Sequence, residues 1–140
     1  MTTDLTSEIK TIPYDQEKVY QVLSNLENLE RIKDKISYDK IKDFTFDKDS
    51  CSFSAQPIGN VKISILERDA PKTIKFAADE SPIEVNMWIQ LVAVEQETKM
   101  KLTVKADLNP FLKPMLSKPL QEGIDKIADV LAGIPYDQVG

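Results

Sequence analysis

Few side chains in this chain are suited to catalysis. The 140 residues include no histidine, a lone cysteine (Cys51) and four glycines at positions 59, 123, 133 and 140. Without histidine the chain lacks the usual general base near neutral pH and the commonest metal ligand. The glycines are too scattered to form a loop that cradles phosphates. We therefore expect no catalytic triad, no metal site and no cofactor.

The remaining polar candidates are tyrosines, carboxylates and amides at the ends of the predicted elements. They could carry acid-base chemistry only if a side chain pointed into a cavity with a shifted pKa. Such groups more often cap a helix, close a turn or lie at a solvated rim, so we assign no catalytic residue. The candidate polar rim comprises Tyr14, Tyr38, Glu84 and Asp107, with Tyr20, Asn109 and Gln121 as further polar groups.

Charge and hydropathy exclude several classes of partner. The formal net charge is −5 and the only arginines are Arg31 and Arg68, which argues against nucleic acid. No apolar run approaches the roughly 20 residues that a transmembrane helix needs. The first residues carry no basic segment followed by an apolar stretch, so we expect no secretory signal and a cytoplasmic location. A lone cysteine, which cannot form an internal disulfide, agrees with a reducing compartment.

The first 36 residues predict one strand and two short helices. Residues 7–12 form a strand candidate that ends at Pro13, and Asp15 follows as an N-cap for a helix over about residues 16–24. After Asn25, three apolar residues at helical spacing predict a second short helix; they are Leu26, Leu29 and Ile32.

From Tyr38 to Ala106 the hydrophobic period changes to two, which predicts six strands with one apolar face. Turn lengths pair Phe46 with Cys51, Ala55 with Val61 and Leu91 with Leu102 on that face. Its predicted members are Phe44, Phe46, Cys51, Phe53, Ala55, Val61, Ile63, Ile65, Ile74, Phe76, Ala78, Met87, Ile89, Leu91, Met100, Leu102 and Val104. Thiolate formation is suppressed on such a face, so we expect Cys51 to be a buried, unreactive thiol.

The last element is a helix that contains two prolines. Pro114 and Pro119 each remove an amide donor, which predicts a short helical piece over residues 110 to about 116, a bend, and a main helix over about residues 117–132. Gly133 ends this helix, and we expect residues 133–140 to be a loose tail.

This order of elements resembles the START-like superfamily of polyketide cyclases, ring-hydroxylating oxygenase subunits and lipid-transport proteins, also called the SRPBCC type. The likeness rests on residues 9–29, which look like the superfamily's opening strand and helix, and on residues 120–131 as its closing helix. It implies a single domain over residues 1–140 with an α+β helix-grip fold. In that fold a curved antiparallel sheet of about seven strands wraps a long C-terminal helix.

The resemblance also implies an apolar cavity between the sheet and the terminal helix, with its mouth near residues 114–119. The candidate lining residues are Phe53, Phe76, Met87, Ile89, Met100, Leu102, Met115, Leu120 and Ile124. The alternative is that the same side chains simply fill the core.

Trp88 is the odd residue of the strands, because the predicted register places it on the outer face beside Lys105. Two interpretations remain open. Either the protein's own chain covers the ring, which we favour, or Trp88 with Val92 and Val94 marks an interface such as a homodimer contact.

Three functions follow from these features. The first is non-enzymatic binding or transport of a small hydrophobic molecule, such as a lipid, an isoprenoid or a polyketide, held by burial alone. The second is an enzyme of the cyclase or dehydratase kind, which needs a rim group that points inward. The third is a protein-interaction module with a filled core, resembling heat-shock co-chaperones of the same fold.

Overall fold

A computed structural model describes residues 2–37, 41–56, 59–81 and 83–139 of the chain, and within these ranges the chain forms an antiparallel sheet, three α-helices and a 3₁₀ helix. The strands are β1 (Thr2–Thr6), β2 (Lys10–Ile12), β3 (Ile41–Phe46), β4 (Ser50–Ala55), β5 (Gly59–Asp69), β6 (Thr73–Glu80), β7 (Val85–Val94) and β8 (Glu97–Asp107). The helices are α1 (Gln16–Leu23), the 3₁₀ helix (Leu26–Ile32), α2 (Lys33–Ile36) and α3 (Lys113–Ala132).

The strands follow the order β1-β8-β7-β6-β5-β4-β3, and β2 also pairs with β8. Because β1 and β2 lie end to end along β8, they share one strand position, and the described sheet has seven positions. Its concave face wraps α3. The predicted α+β helix-grip fold is confirmed.

The first strand differs from its prediction. It begins at Thr2 rather than at residue 7, and it is interrupted between β1 and β2. At the break, the Ser7 amide donates to the Leu102 carbonyl at 2.8 Å, and the Ser7 hydroxyl oxygen accepts from the Leu102 amide at 2.9 Å. The side chain thus replaces a backbone acceptor, and both segments stay on β8.

The predicted faces of the strands are correct although two registers are shifted. Phe46 pairs with Cys51 as expected, but Ala55 pairs with Gly59 and Leu91 pairs with Met100. Each shift is two residues. Because side chains alternate with a period of two, a shift of two leaves the residues of these two pairs on their predicted face. All members of the predicted apolar face are buried or half-buried.

A bulge in β3 reverses the face of its first residues. Lys42 pairs with Ser54 and Thr45 with Ser52, so β3 carries one more residue than β4 over this stretch. Asp43 lies in the bulge with a φ of 61°, in the left-handed region. As a result both Ile41 and Phe44, three residues apart, are buried on the concave side.

The predicted division of the terminal helix into two pieces is wrong. α3 is continuous from Lys113 to Ala132, with Pro114 in its first turn and Pro119 inside it. A proline in the first turn removes an amide that would have no helical partner, so Pro114 does not interrupt the helix. The Asn109 side chain orders the entry, because its Oδ1 accepts from the amides of Phe111 and Leu112 at 2.9 and 2.8 Å.

The residues after α3 are not a loose tail, contrary to the prediction. Gly133 ends the helix as expected, but Ile134 and Tyr136 are buried. The Tyr136 hydroxyl donates to the Leu131 carbonyl at 2.6 Å, and its ring meets Tyr14 edge-on at 5.7 Å between ring centroids. Burial of two large apolar side chains outweighs the entropy lost by ordering this short segment.

We predict that Tyr136→Ala lowers the free energy of unfolding by about 3–5 kcal/mol, because it removes a buried ring and its hydrogen bond. Urea denaturation followed by circular dichroism measures this change. The exposed neighbour Gln138 provides a control, and Gln138→Ala should lie within about 0.5 kcal/mol of wild type. Equal stabilities for the two variants would contradict a packed C-terminal segment.

We predict opposite effects for two substitutions at Asp43. Asp43→Gly should be neutral or raise stability by about 0.5 kcal/mol, whereas Asp43→Val should lower it by about 1–2 kcal/mol, because only glycine adopts the left-handed region without strain. Lys42→Gly, at the neighbouring exposed position, should be destabilising and serves as the control. If Asp43→Val unfolded at a higher temperature than Asp43→Gly, the bulge would be ruled out.

Candidate ligand-binding cavity

An apolar cavity of about 120 Å³ lies between the concave face of the sheet and α3. Strands β3 to β8 form its floor, α3 forms its roof, and the 3₁₀ helix and α2 close one side. Its lining residues are Leu26, Leu29, Ile36, Ile41, Phe44, Phe46, Cys51, Phe53, Ile63, Phe76, Val85, Met87, Ile89, Leu102, Val104, Leu120, Gly123, Ile124, Ile127 and Leu131. Within this set the Cys51 thiol is the sole side chain that can ionise.

Local features of the sequence position these side chains. The bulge at Asp43 turns Ile41 and Phe44 toward the cavity. Phe44 then forms a stacked cluster with its neighbours: its ring centroid lies 5.9 Å from that of Phe46 and 5.4 Å from that of Phe53. The ring planes differ by 7° and 29°, so the three rings form one layer on β3 and β4.

Polar contacts hold α3 over the sheet at its flank. The Gln121 side chain donates to the Thr6 carbonyl at 2.8 Å. Lys126 donates to the Ser37 carbonyl at 2.9 Å, and Lys10 pairs with Asp129. These contacts join the helix to β1, to β2 and to the end of α2, all outside the cavity lining. The polar groups that hold the helix therefore lie outside the cavity, and the cavity lining remains apolar.

The Cys51 thiol is neutral at physiological pH. Burial raises the pKa of this thiol from 9.0 to about 12, and the negative charges of Asp47 and Glu30 act in the same direction. A neutral thiol of this kind is a poor nucleophile and a poor proton acceptor. The cavity lining thus offers no group that is poised for acid-base work near pH 7.

Most of the predicted lining residues meet at this cavity. Met100 does not line it: it is buried on β8 at a position opposite Leu91 and Lys10, beyond the cavity. Met115 is 45% exposed in the first turn of α3, before the stretch that the sheet grips. The seven predicted residues that do line the cavity are Phe53, Phe76, Met87, Ile89, Leu102, Leu120 and Ile124.

The sequence interpretation missed the side wall of the cavity. Leu26, Leu29 and Ile36 come from the 3₁₀ helix and α2. The helical spacing of Leu26 and Leu29 was visible in the sequence, but it predicted a short packing helix rather than a cavity wall, and Ile36 was not singled out. Ile41 was missed because no glycine marks the bulge that turns it inward.

The described members of the predicted polar rim do not line the cavity. The Tyr14 hydroxyl donates to Asp137 Oδ1 at 3.0 Å, and this hydrogen bond raises the pKa of Tyr14. Glu84 and Asp107 are exposed, and the Glu84 carbonyl accepts from the Asp107 amide at 2.9 Å. None of these three lines the cavity. Tyr38 lies outside the described residues.

The further polar groups serve the fold. Asn109 orders the entry to α3, and Gln121 fastens that helix to β1. Tyr20 is buried in α1, where desolvation raises the pKa of its hydroxyl, but it does not line the cavity.

Trp88 is half-buried on the outer face of β7. Its cross-strand neighbours are Lys75 and Thr103, and Lys75 Nζ lies 5.5 Å from the centroid of the indole ring. The cation over the ring is therefore Lys75 rather than the predicted Lys105, which pairs with Asn86. A role for Trp88 in an interface stays a prediction.

A curled antiparallel sheet that wraps a long C-terminal helix is a helix-grip fold. Solved structures with this fold include a START superfamily protein from Mycobacterium smegmatis, which is 12% identical over 98% of this chain and 97% of that chain, with a TM-score of 0.69. Norcoclaurine synthase from Thalictrum flavum is 12% identical over 94% of this chain and 85% of that chain, with a TM-score of 0.69. A protein from Thermus thermophilus is 16% identical over 93% of this chain and 94% of that chain, with a TM-score of 0.65. At these identities the likeness shows the fold.

No family model matches the chain, and no curated protein matches it in sequence. Among the described residues, no helix has the length and apolar character needed to cross a bilayer. The same residues contain no cluster of three or more histidine, cysteine or acidic side chains that could hold a metal ion.

We predict that Cys51 resists thiol reagents while the protein is folded. A rise in pKa from 9.0 to about 12 lowers the thiolate population near pH 8 by a factor of about 1,000, and steric burial slows the reaction further. Labelling with a chromogenic disulfide at pH 8, with and without guanidinium, measures the rate. As a control, Lys42→Cys in a Cys51→Ala background should react at the rate of a free thiol. If folded wild-type protein reacts that fast, the thiol is not buried.

Proposed function

We propose that this protein binds a small, uncharged hydrophobic molecule in the cavity between the sheet and α3, without changing it chemically. The observation that carries this proposal is the lining of the cavity, which is apolar apart from one neutral thiol. Such a site suits a ligand that gains affinity by leaving water, at about 25 cal/mol per Å² of buried apolar surface.

The same lining argues against a charged or strongly polar ligand. A buried polar group that finds no hydrogen-bond partner costs about 1–3 kcal/mol, and an unpaired charge costs more. The described lining offers only the weakly hydrogen-bonding sulfur atoms of Cys51 and Met87, neither of which can compensate for burying a carboxylate or an ammonium group. Neutral, hydrogen-bond-poor molecules are therefore favoured over acids and amines.

The enzyme alternative has one point in its favour, because the structures similar to this chain include a synthase. However, acid-base catalysis requires a positioned donor or acceptor at the reacting atoms. The predicted rim residues that are described have other partners or lie exposed, and they do not reach the cavity. Binding without catalysis thus fits these side chains better. The co-chaperone-like alternative assumed a filled core, which does not match a cavity of about 120 Å³.

We predict that filling the cavity abolishes binding. Val104 is buried at the cavity floor, and Val104→Phe adds a ring to that space. The matched control is Val92→Phe, the same chemical change on the outer face of β7, where Val92 is 59% exposed. Val104→Phe should weaken binding of n-pentane at least about 10-fold in an NMR titration, whereas Val92→Phe should not change it.

Native mass spectrometry of the gently purified proteins adds a second readout. An adduct that is present in wild type and in Val92→Phe, and absent in Val104→Phe, would support binding in this cavity. The proposal fails if wild type shows no adduct and n-pentane gives no saturable shifts at residues that line the cavity.

A further inference from the structure

The size of the cavity limits what it can hold. An engineered dry cavity of about 150 Å³ in another protein is known to bind benzene or xenon, whereas pockets for drug-sized ligands have about 300–1,000 Å³. At about 120 Å³, this cavity accepts a molecule about the size of one ring. The whole acyl chain of a lipid does not fit that volume.

The composition of the wall adds a chemical preference. The chain has five phenylalanines, and four of them line this cavity, namely Phe44, Phe46, Phe53 and Phe76. The fifth, Phe111, is 74% exposed at the entry to α3. Aromatic rings attract one another beyond their buried area when they are offset-stacked or meet edge to face. An aromatic ligand would therefore gain contacts here that an aliphatic ligand of equal size would not.

Two sulfur atoms strengthen this preference. Met87 and Cys51 both line the cavity, and divalent sulfur makes favourable contacts with the edges of aromatic rings. The phenyl layer on β3 and β4 already shows the near-parallel geometry into which another ring can stack, with Phe44 and Phe46 only 7° apart in plane.

We propose that the ligand is a neutral aromatic molecule with a single, sparsely substituted ring, held against the phenyl layer formed by Phe44, Phe46 and Phe53. This inference rests on the proposed function and specifies its ligand class. Substituents are small and apolar, because the lining provides no partner for a charged or hydrogen-bonding group.

The test compares toluene with methylcyclohexane, which has the same number of carbon atoms but no aromatic ring, together with benzoate and oleate. NMR titration of the full chain gives the affinities. Each affinity is corrected for the free energy of transferring that hydrocarbon from water to an alkane, because methylcyclohexane is the more hydrophobic of the two. On this scale toluene should bind about 2- to 10-fold more tightly than methylcyclohexane, and benzoate and oleate should not enter the cavity. This ratio is measured on wild type, so it does not depend on the folding of any variant.

A pair of variants assigns the preference to the phenyl layer. Phe53→Leu keeps an apolar side chain at a half-buried position and should bring the toluene to methylcyclohexane ratio close to one. The control Phe111→Leu makes the same change at the exposed fifth phenylalanine and should leave the ratio unchanged.

The outcomes separate this inference from the proposed function. Equal binding of toluene and methylcyclohexane, or tighter binding of oleate, would overturn the aromatic assignment while leaving hydrophobic binding intact. A ratio that stays the same in Phe53→Leu would also overturn the assignment to the phenyl layer. If neither hydrocarbon binds, both the inference and the proposed function fail.

Discussion

Burial of the concave face of the sheet against α3 is the interaction on which the rest of this structure depends. Along most of the sheet, alternate residues of the strands point toward the helix and are mainly apolar, whereas the outer face carries many lysine, serine and threonine side chains. Neither the sheet face nor the helix stripe of Ile124, Ala128 and Leu131 could be exposed to water without a large loss of free energy. The polar contacts at the flank, such as Lys10 with Asp129, remain accessible to solvent, and ion pairs of this kind stabilise a fold only weakly. These contacts determine where the helix lies, whereas burial of apolar surface supplies most of the free energy that holds it there.

The cavity is an exception to this packing and lowers stability. Cavity-forming substitutions in proteins cost about 24 cal/mol per Å³ of void, which gives about 3 kcal/mol for a void of 120 Å³. Natural proteins have only about 5–15 kcal/mol of net stability, so this is a substantial fraction. A ligand that fills the void restores the lost contacts and stabilises the folded state by mass action. Under the proposed function, ligand binding would therefore raise folding stability, and this coupling would need no conformational switch.

The sequence predicted the fold better than the cavity. The face on which a strand residue lies depends on local alternation, whereas the position of a side chain in the cavity depends on contacts between residues distant in sequence. A period of two assigns each strand residue to a face, and the face remains correct even where Leu91 pairs with Met100 instead of Leu102.

Other features could not be predicted from local sequence. No glycine marks the bulge at Asp43, and the burial of Tyr136 depends on a partner, Tyr14, that is distant in sequence. The partner of the Tyr14 hydroxyl, Asp137, is likewise distant in sequence and could not be predicted. Lining residues on the central strands could be predicted, whereas those on the 3₁₀ helix could not, because a cavity wall and ordinary packing have the same apolar spacing.

A cavity without a polar anchor selects its ligand by disfavouring polar molecules and molecules that are too large. The same fold carries an enzyme in norcoclaurine synthase, so the fold alone does not set the function, and the side chains of the cavity must do so. Adding one buried methylene to a ligand changes its affinity by about 0.8 kcal/mol, whereas one unpaired polar group costs about 1–3 kcal/mol. This lining therefore discriminates more strongly against polarity than among apolar shapes of similar volume. The upper limit on size comes from the close-packed wall, since a larger ligand must displace side chains such as Phe76 and Leu102 that are already fully buried.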